Sequence, residues 1–127
     1  MKKFETPLDF EIKLQIDNYN IEYLNLKEFS QGSPEIGELK INNIQIEGYQ
    51  FGGPILHKDS YIYIPIYKRN FLSSGFILTR INLETLKIEE LSNVKRLIFL
   101  DRIKENRVYF FEDINKSKEC FLILGNV

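Results

Sequence analysis

The chain has almost none of the residues on which disulfides, metal sites and most nucleophilic catalysis depend. Its 127 residues include one histidine, one cysteine and no tryptophan. Cys120 has no second cysteine to pair with, which excludes an internal disulfide and suits a reducing compartment. The neighbours of His57 add only the carboxylate of Asp59, whereas a metal site needs several ligands at workable spacing. We therefore expect no metal site and no cofactor.

Long apolar runs are also missing. Met1–Lys3 is followed by Glu5, Asp9 and Glu11 instead of the apolar core of a signal peptide. No run approaches the roughly 20 apolar residues that a membrane helix needs. Length and composition therefore predict one domain over residues 1–127, located in the cytoplasm and without a membrane partner.

Motifs for catalysis are missing as well. The chain has no glycine-rich phosphate loop, no dinucleotide fingerprint and no nucleophile elbow. The adjacent carboxylates Glu89–Glu90 and Glu112–Asp113 would point to opposite faces of a strand, so neither pair converges on one substrate. We expect no catalytic residue and no enzymatic activity.

Alternation of apolar and polar residues predicts short strands along the whole chain. Leu8–Ile16 alternates strictly, and the stretch after Asp17–Asn18 reads as a strand with a bulge. Asn42–Asn43 and the three residues Lys104–Asn106 are typical of hairpin turns, and Arg69–Gly75 reads as a connection. The fold class is all-β, an antiparallel meander with little or no helix, arranged as a truncated propeller-like stack, a sandwich or a barrel.

Residues 53–125 resemble the blades of β-propellers. The resemblance rests on a Gly53–Pro54 entry, the aromatic strand Tyr61–Tyr67, the apolar strand ending in Ile81–Thr85, Leu100–Arg102, and Arg107–Asp113. It implies four-stranded antiparallel units and no particular activity, because such blades serve many unrelated functions. A complete propeller has at least about four blades of about 40 residues, so this chain would be a truncated stack.

The most regular strand carries two chemistries on its two faces. Ile62, Ile64 and Ile66 point one way, and Tyr61, Tyr63, Pro65 and Tyr67 point the other. Because a tyrosine hydroxyl favours a wet rim, the tyrosine face is a candidate binding surface, with half-buried packing under a loop as the alternative. Pro65 cannot donate to a ladder, which predicts an edge strand or a bulge.

Charge divides the chain into an acidic and a basic half. Residues 1–60 carry six lysines and ten carboxylates, and residues 61–127 carry eleven cations and eight carboxylates. The acidic half favours a non-enzymatic protein-binding module, namely a small bacterial immunity protein that neutralises a cognate toxin such as a basic nuclease. The predicted partner-binding residues are Glu35, Glu38, Glu47, Tyr61, Tyr63 and Tyr67.

Two other functions stay open at this point. A single-stranded nucleic-acid binder would use Lys95, Arg96, Arg102, Lys104 and Arg107 with Tyr109, although the overall charge disfavours it. A propeller-like structural domain would complete itself by homo-oligomerisation through an unpaired strand edge.

Overall fold

The computed structural model describes residues 4–69 and 74–125, and these contain strands and turns but no helix. The eleven strands are β1 (Lys13–Ile16), β2 (Tyr19–Glu28), β3 (Glu35–Ile41), β4 (Ile44–Phe51), β5 (Leu56–Lys58), β6 (Tyr61–Arg69), β7 (Ser74–Asn82), β8 (Ile88–Glu90), β9 (Phe99–Lys104), β10 (Arg107–Phe111) and β11 (Glu119–Ile123). The predicted connection Arg69–Gly75 is wrong at both ends, because Arg69 belongs to β6 and Ser74 and Gly75 belong to β7. Residues 70–73 lie outside the described part of the chain. The all-β prediction is confirmed.

The strands form two antiparallel sheets. The large sheet has the order β1-β2-β3-β4-β6-β7-β8, and β5 pairs with β6 beside this path. The small sheet has the order β11-β10-β9. In the described chain β1 and β8 end the large sheet without pairing to each other, so the sheet is an open meander.

Residues with a left-handed backbone conformation (positive φ) form several of the hairpin turns. Asn42 and Asn43 have φ values of 49° and 67°, as the predicted tight turn between β3 and β4 requires. Asp17 turns the chain between β1 and β2 with a φ of 53°. Lys104 pairs with Arg107, so the β9–β10 loop has two residues and not the predicted three.

The first predicted strand is shorter than its alternation indicates. The structure has β1 only from Lys13, and before it the backbones of Thr6 and Asp9 exchange two hydrogen bonds of 3.0 Å across a turn. This turn engages backbone groups that a ladder would use. Phe10 is buried, but Leu8 and Ile12 are 40% and 45% exposed. Alternation alone could not distinguish this turn from a strand.

Pro65 lies in a central strand, so the edge-strand alternative is wrong. β6 itself has no bulge in its pairing with β7, and the irregularity lies instead in the neighbouring strand, which is interrupted between Phe51 and Leu56. β6 pairs with β7 on one side and with β4 and β5 on the other. The Gly52 N–H donates to the Pro65 carbonyl at 2.8 Å, so the backbone groups of Pro65 face the gap between Phe51 and Leu56. The missing N–H thus falls where the neighbouring strand is interrupted, and the ladder loses only one bond.

Both faces of β6 are buried. Its isoleucine face belongs to the first core, together with Ile21, Tyr23, Leu39, Ile41, Phe51, Ile81, Leu83 and Phe10. Its tyrosine face belongs to the second core, which includes Phe76 and Leu78 of β7 and the inward side chains Leu100, Val108 and Phe110 of the small sheet. The small sheet therefore packs on the tyrosine side of β6, and β6 separates two cores.

A buried tyrosine replaces the hydrogen bond that Pro65 cannot make. The Tyr23 hydroxyl donates to the Gly52 carbonyl at 2.6 Å, and this carbonyl is the acceptor that a Pro65 N–H would otherwise have served. Tyr23 is 4% exposed. Burial, with a smaller contribution from Glu5, raises the pKa of Tyr23 well above its ordinary value. The hydroxyl thus stays protonated and available as a donor.

We expect Tyr23→Phe to lower the free energy of unfolding by about 1–2 kcal/mol, because the Gly52 carbonyl is left buried and unpaired. The raised pKa adds a pH dependence. Since the unfolded tyrosine loses its proton first, at about pH 10, the native protein loses stability as pH rises above that value. Urea unfolding at about pH 7 and about pH 10.5 measures both effects.

Tyr19→Phe is the matched control, because Tyr19 is half-buried on the same strand and its hydroxyl makes no hydrogen bond to any described residue. This variant should keep the stability and the alkaline decline of the parent protein. An alkaline decline of equal size in the Tyr23→Phe variant would contradict the role assigned to this hydroxyl.

Candidate partner-binding face

The small sheet presents one face to the second core and the other to solvent. Side chains alternate along a strand, so every second residue points outward. The outer face consists of three cross-strand rows, namely Lys104–Arg107–Ile123, Arg102–Tyr109–Phe121 and Phe99–Phe111–Glu119. We call these nine residues the outer face; eight of them are at least partly exposed, whereas Phe99 is buried, with the Lys116 Nζ 5.0 Å from its ring centroid.

The β9–β10 hairpin brings Arg102 opposite Tyr109. The register between β9 and β10 shifts between Tyr109 and Phe110, so that Phe110 pairs with Leu100 and Asp101 is the extra residue. The two-residue turn sets the register from the pair Lys104–Arg107 to the pair Arg102–Tyr109, and the bulge lies beyond these pairs. Without the bulge, Asp101 and not Leu100 would lie opposite the buried Phe110.

Two arginines lie over aromatic rings at the centre of the outer face. The Arg102 guanidinium lies 4.0 Å from the ring centroid of Tyr109, and that of Arg107 lies 4.6 Å from the centroid of Phe121. The two rings are themselves in contact, with centroids 5.8 Å apart. Each arginine–aromatic contact contributes about 0.5–1 kcal/mol at an exposed site, so the four side chains hold each other in place.

Large apolar side chains and unpaired cations are exposed together on this face. Phe121 and Ile123 are 49% and 64% exposed. Arg102 has carboxylate partners at 2.6 Å on Asp101 and 3.2 Å on Glu119, and these hydrogen bonds raise the pKa of Arg102. Lys104 and Arg107 form no ion pair with any residue in the described ranges.

The predicted tyrosine surface is not exposed. Tyr63 is 2% exposed within the second core, and Tyr61 is half-buried with the Arg80 guanidinium 4.3 Å from its ring centroid. Tyr67 stacks on Phe29 with centroids 4.3 Å apart. The small sheet and neighbouring side chains cover this face, so the structure gives the packing alternative and leaves Tyr63 inaccessible to a partner.

The three predicted glutamates lie on β3 and β4 of the large sheet. Glu38 accepts hydrogen bonds from the side-chain amides of Asn25, at 3.1 Å, and Gln45. Glu47 is an exposed residue of β4, two positions after Gln45. Glu35 is the first residue of β3 and lies at the opposite end of that strand. No described contact joins these glutamates to the tyrosines, so the six residues do not form one surface. That they bind a partner stays a prediction.

The residues predicted for nucleic-acid binding are partly brought together. Arg102, Lys104, Arg107 and Tyr109 share the outer face. Lys95 instead exchanges two backbone hydrogen bonds of 2.7 Å with Phe76 of the large sheet. Arg96 follows it in the same connection to β9.

Other reactive groups lie apart from one another. His57 is on the short strand β5, where its Nε2 lies 2.7 Å from the Asp59 carbonyl and 3.6 Å from the Asp17 carboxylate. Within residues 4–69 and 74–125 there is no cluster of three or more side chains that could hold a metal ion. The same residues contain no helix that could cross a membrane. Cys120 is half-buried, and its Sγ donates to Glu112 at 3.0 Å.

Phe121 and Ile123 were not identified from the sequence as candidate binding residues. The signal was nonetheless present. Glu119, Phe121 and Ile123 alternate along the strand, so their side chains share one face. The charged side chain of Glu119 indicates that this face points outward. The alternate residues Cys120, Leu122 and Leu124 do pack on the second core.

We expect Cys120 to react slowly with iodoacetamide. Burial raises the pKa of the thiol, and its hydrogen bond to the Glu112 carboxylate raises it further, so the reactive thiolate is depleted near neutral pH. Replacing Glu112→Gln removes the negative charge and should increase the alkylation rate at a given pH. The matched control Glu47→Gln, at an exposed residue of β4 in the large sheet, should leave the rate unchanged, and equal rates in all three proteins would contradict this explanation.

Comparison with known proteins adds no functional assignment. No family model, no curated protein and no solved structure matches the chain. The resemblance of residues 53–125 to propeller blades therefore stays a prediction.

Proposed function

We propose that the chain is a non-enzymatic protein-binding module and that its partner docks on the outer face of the small sheet. In its most specific form the proposal is a small bacterial immunity protein, acting in the cytoplasm, that binds and neutralises a cognate toxin. The observation that carries the proposal is the exposed cluster of Arg102, Tyr109, Arg107 and Phe121, with Ile123 beside it.

The composition of this cluster supports a protein partner. Tyrosine and arginine are enriched among the few residues that supply most of the energy of protein interfaces. The arginines already cover ring faces of Tyr109 and Phe121, so these side chains are ordered before a partner arrives and little conformational entropy remains to be lost. Exposed Ile123 extends the apolar centre, and charged residues surround it, as in a typical interface.

The charges of the outer face specify the chemistry of the partner's contact surface. Lys104 and Arg107 have no carboxylate partner among the described residues, so a partner that presents carboxylates would satisfy them. Glu119 and Asp101 already satisfy Arg102. A basic toxin steered by Glu35, Glu38 and Glu47 would approach the large sheet instead, and that version of the proposal depends on a different surface.

The test uses the protein encoded by the neighbouring gene as the candidate toxin. Its toxic domain should stop cell growth when expressed alone and should lose this effect when the chain is co-expressed. In titration calorimetry, the double variant Arg107→Ala with Phe121→Ala should bind at least about 30-fold more weakly, because two such contacts together exceed about 2 kcal/mol.

Ile44→Ala is the control, since Ile44 is a 56% exposed residue on β4 of the large sheet. This variant should bind like the parent chain, and urea unfolding checks that every variant is folded. Unchanged affinity of the outer-face double variant would refute the docking face. Weakened binding after charge reversal at Glu35, Glu38 and Glu47 would transfer the interface to the large sheet.

Single-stranded nucleic-acid binding is the second candidate, favoured by the presence of Arg102, Lys104, Arg107 and Tyr109 on one sheet face. Two observations weigh against it. The guanidinium groups occupy ring faces on which bases would stack, and Glu119 and Asp101 place negative charge beside the proposed path of the phosphates. The protein interface therefore remains the preferred proposal.

A fluorescent oligothymidylate separates the two candidates. The protein-interface proposal predicts no change in fluorescence anisotropy at low salt. Binding that weakens with added salt and is lost in the Arg107→Ala variant would instead establish the nucleic-acid function, because phosphate contacts release counterions. The Lys27→Ala variant, at an exposed residue of β2, controls for loss of any one positive charge.

A further inference from the structure

β11 is the outermost strand of the small sheet, and the backbone groups of every second residue in it are unpaired. The Leu124 N–H donates to the Asn106 carbonyl at 2.8 Å, and the Lys118 carbonyl accepts from the Glu112 N–H at 3.3 Å. Even-numbered residues of this segment therefore direct their backbone groups toward β10. The N–H and C=O groups of Glu119, Phe121 and Ile123 point to the opposite, unpaired side.

The edges of the other terminal strands, β1, β8 and β9, are short or covered. β1 has four residues and includes Lys13, while β8 has three residues. The outer edge of β9 faces β5, and the Lys58 ammonium donates to the Glu105 carbonyl at 2.6 Å across that junction. Short strands and lysines are the features by which proteins protect sheet edges from pairing.

β11 has none of these protective features. Its sequence Glu-Cys-Phe-Leu-Ile contains no proline, glycine or lysine, and its ladder with β10 has no bulge. A groove of about 470 Å³ separates it from residues 90–93 and Lys95, so no described segment pairs with its free edge. Phe121 and Ile123 are also exposed on this strand.

We infer that β11 pairs with β11 of a second copy of the chain, in an antiparallel arrangement about a twofold axis at Phe121. This register places Phe121 opposite the Phe121 residue of the second copy and Glu119 opposite its Ile123. All of these residues have outward backbone groups, so the pairing closes up to six main-chain hydrogen bonds and creates one continuous six-stranded sheet.

The side chains of β11 are compatible with this pairing. A twofold axis perpendicular to the sheet preserves its faces, so the two Phe121 rings lie side by side on the outer face and form an aromatic cross-strand pair. Glu119 meets an isoleucine and not another carboxylate, so no like charges lie directly opposite each other. Because edge pairing covers little area, the dimer is weak and depends on concentration.

Self-association is measured by analytical ultracentrifugation from about 5 µM to about 500 µM. The mass should rise from the 15.1 kDa of the monomer toward twice that value. Ile123→Lys adds a charge at the edge and should keep the protein monomeric throughout. Ile44→Lys makes the same substitution at a comparably exposed isoleucine on β4 and should still dimerise.

The register has its own test. In a Cys120→Ser background, Phe121→Cys should cross-link to a dimer with a short bismaleimide, because directly paired residues lie about 5.5 Å apart at their Cα atoms. Ile44→Cys in the same background should not. A monomer at every concentration, or a dimer that Ile123→Lys leaves intact, would overturn the inference. None of these outcomes depends on the toxin-binding proposal, which concerns a different partner and a separate assay.

Discussion

The hydrogen bond from the Tyr23 hydroxyl to the Gly52 carbonyl makes a proline tolerable in the middle of the large sheet. Pro65 returns no N–H to its neighbour, and an unpaired carbonyl in the core would be costly. The interruption between β4 and β5 provides the space, and Tyr23 provides the donor. Gly53 adds to the constraint, because a Cβ there would lie 2.7 Å from the Phe10 ring. The N-terminal segment, β2 and β6 therefore meet at one point.

The position of β6 between two cores explains why the proposed docking face lies on the small sheet and not on β6. Its isoleucines and its tyrosines are each used for packing, and the Thr79 hydroxyl donates to the Ile64 carbonyl at 2.6 Å between them. No face of this strand remains for a partner. The small sheet covers the tyrosine side with its own apolar residues, and its outer face is consequently presented to solvent.

The outer face and the free edge of β11 share Phe121 and Ile123 but offer different chemistry. The face presents side chains, including two arginines ordered on aromatic rings, whereas the edge presents backbone donors and acceptors. A partner on the face and a second copy at the edge could therefore be bound together. Such a dimer would place two docking faces on the same side of one continuous sheet.

The sequence by itself determined the all-β class, most hairpins and the two-faced character of the Tyr61–Tyr67 strand, because alternation and turn residues act locally. The alternation of side chains along the last strand also indicated that Phe121 and Ile123 share a face with the charged Glu119. Which face of β6 is covered and how Pro65 fits a central strand were decided only by tertiary structure. Both depend on the order of the strands and on contacts such as that of Tyr23 with Gly52, which join residues distant in the chain.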